Sequence, residues 1–225
     1  MADPRHLPIH VPSLPGGLRG GQSSRVTDSL MRYQVYRSED RATWGERDTN
    51  PGGAMAEIIA RIHKVKEEWG SLSNMSPHPV DTTGDQTLPL ILRREWRTSE
   101  ALFQALRFCG NDHETVDDVI ELVWRHKSPM GAKMIAKSHK DQMLVVPCSN
   151  DDLYNMRRVL ERKLAAHAEV RTTLSSTTGM EIIEDCSNRT GGSGLFWGAA
   201  LMPWGRWVGE NWLGSLWTDI LHEPL

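Results

Sequence analysis

Glu100 and Gln104 stand one helical turn apart in Thr98-Ser99-Glu100-Ala101-Leu102-Phe103-Gln104, a spacing that puts a carboxylate and an amide on one face, where they can serve one substrate. An acid in a first turn also suits the helix dipole, so a structural role fits the pair equally. Upstream, Trp69-Gly70-Ser71-Leu72-Ser73-Asn74-Met75 brackets small polar residues between an indole and a thioether. Such a loop can approach a ligand closely, with Asn74 both donating and accepting; a plain turn is the simpler account. From Arg125 to Lys163 there are nine Lys or Arg (125, 127, 133, 137, 140, 157, 158, 162, 163) and four acids (141, 151, 152, 161), a local balance of +5. That segregation suits an anionic ligand, or a solvated face. Five of the nine Trp (197, 204, 207, 212, 217) fall in the last 29 residues. Flat rings with one polar edge can sandwich a purine or pyrimidine, and helix packing explains them as well, so one or two are expected to line a site.

Other signatures are missing. The sequence has no GxxxxGK[ST], HExxH or GxSxG, and no GxGxxG after a strand. Gly191-Gly192-Ser193-Gly194 could wrap a phosphate with backbone amides, but no Lys follows it, and it reads as a mobile loop. No metal ligand set or redox cofactor is indicated.

The elements that must hold these residues are mainly helical. Ile58, Ile59 and Ile62 open the compact part as a strand, and Leu88 to Trp96 reads as another, with Thr83-Gly84-Asp85 as a turn between them. Thr98 or Ser99 caps a helix through Phe108. Val116, Val119, Ile120 and Val123 recur at helical spacing between His113 and His126. Ser128-Pro129 starts a third helix, with Pro at the first position where its missing N–H costs nothing. Asn150-Asp151 caps a longer one, with Leu153, Met156, Leu160 and Leu164 inward and Arg157, Arg158, Glu161 and Arg162 mostly outward. A short helix over 169–174, a strand over 180–184 and a last helix over 211–222 complete the pattern.

Composition bounds the rest. A chain of 225 residues fits one domain with an extension, or two small ones. Lys plus Arg is 26 against 29 Asp plus Glu, so no global positive field makes this a general nucleic-acid coat. No apolar run approaches the roughly 18 residues of a membrane span. Residues 1–55 hold five Pro and seven Gly without a sustained period and read as a flexible or disordered arm, with a short helix near 28–37. Met1 to His10 lacks the apolar stretch of a secretory signal. Cys109, Cys148 and Cys186 are odd in number and far apart, which points to a reduced, cytoplasmic location.

Taken in order, WGSLSNM, W-x-TSEALFQALRF, SPMGAKMIA, MRRVLERKLAAHAEVRTTL, the EIIE strand, FWG and GENWLG resemble the NADAR domain, the YbiA-like N-glycosidase family, over roughly residues 58 to 222. The resemblance implies a mainly α fold, a YbiA-like helical bundle with a few short β-strands, in a domain over 56–225. It also implies hydrolysis of the N-glycosidic bond of a phosphorylated riboside, such as ADP-ribose on guanine or a riboflavin-biosynthesis intermediate. The expected partner is thus a phosphorylated nucleoside-like small molecule or ADP-ribosylated nucleic acid, with no membrane and no obligate protein partner. By position, Glu100 would manage the proton on water or leaving group and Gln104 would orient the ribose. Asn74 with Ser73, in the loop that Trp69 and Gly70 open, would hold the sugar or phosphate edge. Trp197 with Gly198 would stack on the base, and Asn211 and Gly214 match the family's G-x-N-x-L-G turn. Lys163 would stabilise phosphate or attack the anomeric carbon as an amine.

The sequence departs from the family at three places. The histidine after the motif glutamate is Ala101, the phenylalanine after the motif lysine is Leu164, and the aspartate three residues before the WG tryptophan is Gly194, for which Asp185 is the candidate replacement. An oxocarbenium-like transition state draws on nearby negative charge, so a lost carboxylate favours the alternative reading, a non-catalytic module that binds ADP-ribose or a related nucleotide. A third reading is an interaction domain whose Trp-rich end docks a partner.

Overall fold

The middle of the fold is a helix without an exposed face. All eight residues of α1 (Ser99–Leu106) are buried, and Thr98 caps it by accepting from the Ala101 amide at 3.2 Å. Leu102, Phe103, Ala105 and Leu106 satisfy such burial by themselves, whereas Ser99, Glu100 and Gln104 need partners there. A computed structural model describes residues 59–223. The arm expected over 1–55, its helix near 28–37 and Ile58 lie outside the described residues.

Around α1 pack α2 (Asp117–Arg125), α3 (Pro129–Ser138) and α4 (Asn150–Ala166). Ser128 caps α3 through the Gly131 amide, with Pro129 at the first helical position as its spacing predicts. On α4 the cap is Ser149, one residue before the expected pair. Further along come α5 (Ala168–Ser176), the single turn α6 (Gly194–Trp197) and α7 (Trp212–His222), giving seven α-helices among the described residues. The architecture is mainly α, with three two-stranded sheets among the described residues.

The sheets are small but join distant parts of the chain. β1 (Ile59–Ile62) runs parallel to β4 (Glu181–Glu184), with Ile59 opposite Glu181 and Ile62 opposite Glu184. β2 (Val80–Asp81) pairs antiparallel with β3 (Glu95–Trp96), and β5 (Ala200–Leu201) with β6 (Trp207–Val208). The strand expected over Leu88 to Trp96 is therefore corrected to a short 3₁₀ turn, Leu90–Leu92, followed by two paired residues. Side chains have taken the carbonyls that a ladder needs. The Leu92 oxygen accepts from Thr82 Oγ1 at 2.5 Å and from the Trp96 indole at 3.1 Å, and the Leu88 oxygen accepts from Arg93 Nε at 2.7 Å.

α7 lies on β4 and closes the core. Asn211, in the left-handed region at φ 53°, donates from Nδ2 to the Ile182 oxygen at 2.8 Å and accepts from the Glu184 amide at 3.0 Å. At Gly214 a Cβ would lie 2.0 Å from the Ile182 oxygen, so only glycine lets the helix sit this close. Trp217 reaches from α7 to the Leu72 oxygen at 3.0 Å and, like Trp96, Phe103 and Phe108, is fully buried. No helix among the described residues is long and apolar enough to cross a membrane.

Candidate active site

Segments far apart in sequence meet in one cleft of about 450 Å3, counted out to its open mouth. The loop at 73–75 gives Ser73, Asn74 and Met75; α1 and the residue just past its end give Glu100, Phe103, Gln104 and Arg107; α3 gives Lys133. Met156 of α4, Glu184 of β4, and Ser193, Trp197 and Leu213 complete the lining. Glu100 and Trp197, the two groups on which the expected chemistry turns, thus share one cavity.

A run of buried hydrogen bonds orders the α1 stripe. Gln104 donates from Nε2 to Glu100 Oε1 at 2.8 Å, and its own oxygen accepts from Arg107 at 3.1 Å. Arg107 is gripped by both oxygens of Asp152, at 2.8 and 2.7 Å, and its guanidinium lies 4.5 Å from the centre of the Phe103 ring. Because a guanidinium only donates, the Gln104 oxygen faces Arg107 and its N–H faces Glu100. Residues 100, 104 and 107 follow the i, i+4, i+7 spacing of one helical face, so Arg107 was legible from the spacing that singled out the other two.

The second carboxylate of the cleft is Glu184, not Asp185. Asp185 accepts from the Ser187 amide at 2.8 Å and hydroxyl at 2.5 Å, and pairs with Arg61, which together hold its carboxyl below the usual range against the opposing effect of burial. It does not line the cavity. Glu184 does, and its Oε2 is buried without a hydrogen-bond partner. Burial first, and then the Glu100 carboxylate, push Glu184 up to about 8. β4 ends at Glu184, and Asp185, just beyond it, spends its buried carboxylate on Ser187 and Arg61 instead of the cleft.

Lys163 lies behind the wall of the cleft rather than in it. Fully buried, its Nζ donates to the Ser73 oxygen at 2.8 Å and to Ser76 Oγ at 2.7 Å, which pins the turn that carries Asn74. Burial lowers it to about 7, against the opposing pull of Glu184 and Glu169.

The basic stretch does not converge on one anion. Of its nine members only Lys133 lines the cleft, 3.8 Å from Glu100 Oε1. Arg157, expected to point mostly outward, is buried and paired with Glu161 and Glu223; Arg158 and Arg162 meet Asp85. Trp69, Gly70, Gly198, Asn211 and Gly214 do not line the cavity either. Gly70 and Gly198 sit where a Cβ would lie 2.3 Å from the Val65 oxygen and 2.2 Å from the Glu184 oxygen, so both serve close backbone approach, as Gly214 does. Of the C-terminal tryptophans, Trp197 alone lines the cleft, held edge-on by Phe103 with ring centres 5.3 Å apart. Among the described residues no group of three or more His, Cys, Asp or Glu is placed to hold a metal ion.

Comparison with known proteins agrees with this architecture. The NADAR domain matches residues 62–223. The chain is 26% identical over 173 residues to a maize protein named riboflavin biosynthesis protein PYRR, chloroplastic, covering 74% of this chain and 25% of that one. It thus spans about a quarter of the length of the maize relative. To the N-glycosidase YbiA of Escherichia coli it is 25% identical over 169 residues, covering 75% of this chain and 90% of YbiA. The NMR structure of E. coli YbiA superposes with a TM-score of 0.54 at 24% identity, covering 76% of this chain and 88% of that one, a likeness of fold.

Proposed function

The chain belongs to the NADAR domain family, and on that premise we propose that it hydrolyses the N-glycosidic bond of a phosphorylated riboside, with ADP-ribose on guanine as the first substrate to test and a riboflavin-biosynthesis intermediate as the second. The observation that carries the reading is the pair of glutamates in one cleft beside Trp197, one of them shifted far enough by burial to keep its proton at neutral pH. In this mechanism the base stacks on Trp197 while Glu184, as general acid, protonates the departing nitrogen. Glu100, oriented by Gln104, faces the positive charge that develops on the sugar and directs water to the anomeric carbon. Lys133 meets the phosphate. Glu184 supplies the carboxylate that Gly194 lacks, and this supports catalysis over binding alone. Three free cysteines fit the reduced, cytoplasmic setting we assign to it.

Incubation with ADP-ribosylated guanine DNA and with a pyrimidine ribosylamine phosphate, followed by mass spectrometry for free base, tests the reaction. Glu100→Gln and Glu184→Gln should each lower kcat by about 10²-fold or more while leaving binding largely intact. Saturable heat in calorimetry with ADP-ribose, without released base from either substrate, would make the chain a binding module instead. One observation favours a covalent route within the same site: at about 7, Lys163 is partly a neutral amine, as a nucleophile must be. That route needs the turn at 73–76 to release Nζ into the cleft, and borohydride trapping of a sugar adduct on Lys163 would identify it.

A further inference from the structure

We propose that Asn74 reads a sugar hydroxyl, so that the hydroxyl-bearing edge of the ribose, and not its phosphate, docks against the wall at 73–75. The identity of the sugar rests on the glycosidase reading; the polarity of the contact rests on the geometry alone. Asn74 is 5% exposed and lines the cleft, and its Oδ1 is buried without a hydrogen-bond partner. Its Nδ2 is already committed to Met156 Sδ at 2.9 Å.

The backbone around it is fixed on both sides. The Asn74 oxygen accepts from the Glu100 amide at 3.1 Å, and the Ser73 oxygen accepts from Lys163. The side chain therefore presents a stationary acceptor, and a buried acceptor costs free energy until a donor arrives.

Phosphate does not supply that donor. At neutral pH its oxygens are chiefly acceptors, and one placed here would leave Oδ1 unpaired while bringing negative charge toward Glu100. A hydroxyl donates, and leaves its lone pairs for other groups. The cation suited to phosphate, Lys133, stands on a different element with its side chain 42% exposed. The cleft is thus divided by chemistry, with an acceptor wall for hydroxyls and an ammonium for the phosphate. A site built around an unpaired acceptor rejects the analogue that lacks the hydroxyl more strongly than an apolar pocket would.

The test uses three phosphosugars that undergo no turnover: ribose 5-phosphate, 2-deoxyribose 5-phosphate and 3-deoxyribose 5-phosphate, each titrated calorimetrically into the full chain. One of the two deoxy sugars should bind at least about 30-fold more weakly than ribose 5-phosphate, and Asn74→Ala should narrow that gap to about 3-fold or less. Should Asn74→Ala fail to fold, Met156→Leu removes the anchor of the amide while keeping both backbone clamps, and it should narrow the gap in the same direction. Equal affinity for the three sugars, an undiminished gap in the variant that folds, or no binding of ribose 5-phosphate at about 10 mM would overturn the proposal. Discrimination without base release from either riboside would remove the hydrolysis and leave the hydroxyl contact; base release without discrimination would do the reverse.

Discussion

Glu184 and Lys163 set opposite pH dependences. The folded value of Glu184, about 8, lies above the ordinary carboxylate value, so the folded chain keeps a proton that the unfolded chain has lost. Stability from this source is full below about 4.5 and is lost as pH rises through about 8. Glu184→Gln should therefore raise Tm over the parent more at pH 9 than at pH 5, by about 2–4 °C for each kcal/mol recovered, even as it lowers turnover. Lys163 has the reverse sign. Its folded value of about 7 lies below the ordinary 10.5, so the folded state lacks a proton that the unfolded state holds, and stability rises with pH between those values. Urea titrations at pH 7 and pH 10 should show that rise in the parent and not in Lys163→Met.

At the scale of elements, the position of Glu184 is set by residues that never touch the cleft. Asn211→Ala removes two hydrogen bonds to β4, one on each side of Ile183, and should cost about 1–3 kcal/mol in chemical denaturation. Because Glu184 rides on that strand, turnover should fall further than the stability loss explains. The sequence made the helices legible because their faces and caps are local: Thr98, Ser128 and the inward stripe of Leu153, Met156 and Leu160 stand where spacing put them. The strands were less legible. β1 was placed by its isoleucines, yet nothing local says that its partner is β4, and the stretch from Leu88 lost its ladder to side chains of Thr82, Arg93 and Trp96. In the site, the stripe of Glu100 and Gln104 followed from spacing, while Glu184 and Lys133 did not, since their inward aim depends on β1, α7 and the packing of α3. The basic count over 125–163 misled for the same reason: charge on a helix says nothing about which partner neutralises it.

At the scale of the molecule, the cavity is a junction of pieces that only the complete fold holds together, with contributions from the loop at 73–75 through Leu213. Ligand binding and global stability are consequently linked. ADP-ribose at about 100 times its Kd should stabilise the folded chain by about 2.7 kcal/mol, read as a rise in Tm, and Trp197→Ala should reduce that rise sharply. An unchanged Tm at saturating ADP-ribose would count for the interaction-domain reading.

The parallel pairing of β1 with β4 also bears on how the chain is made. Ile59 and its partner Glu181 are 122 positions apart, so at about 5–20 residues per second a ribosome needs roughly 6–24 s to deliver the second strand after the first. During that interval the apolar edge carrying Ala60 and Ile62, fully covered in the finished protein, waits without its mate in the nascent chain. Chaperone occupancy early in translation, and inclusion bodies when synthesis outruns it, are the cellular signatures of such a late-arriving strand.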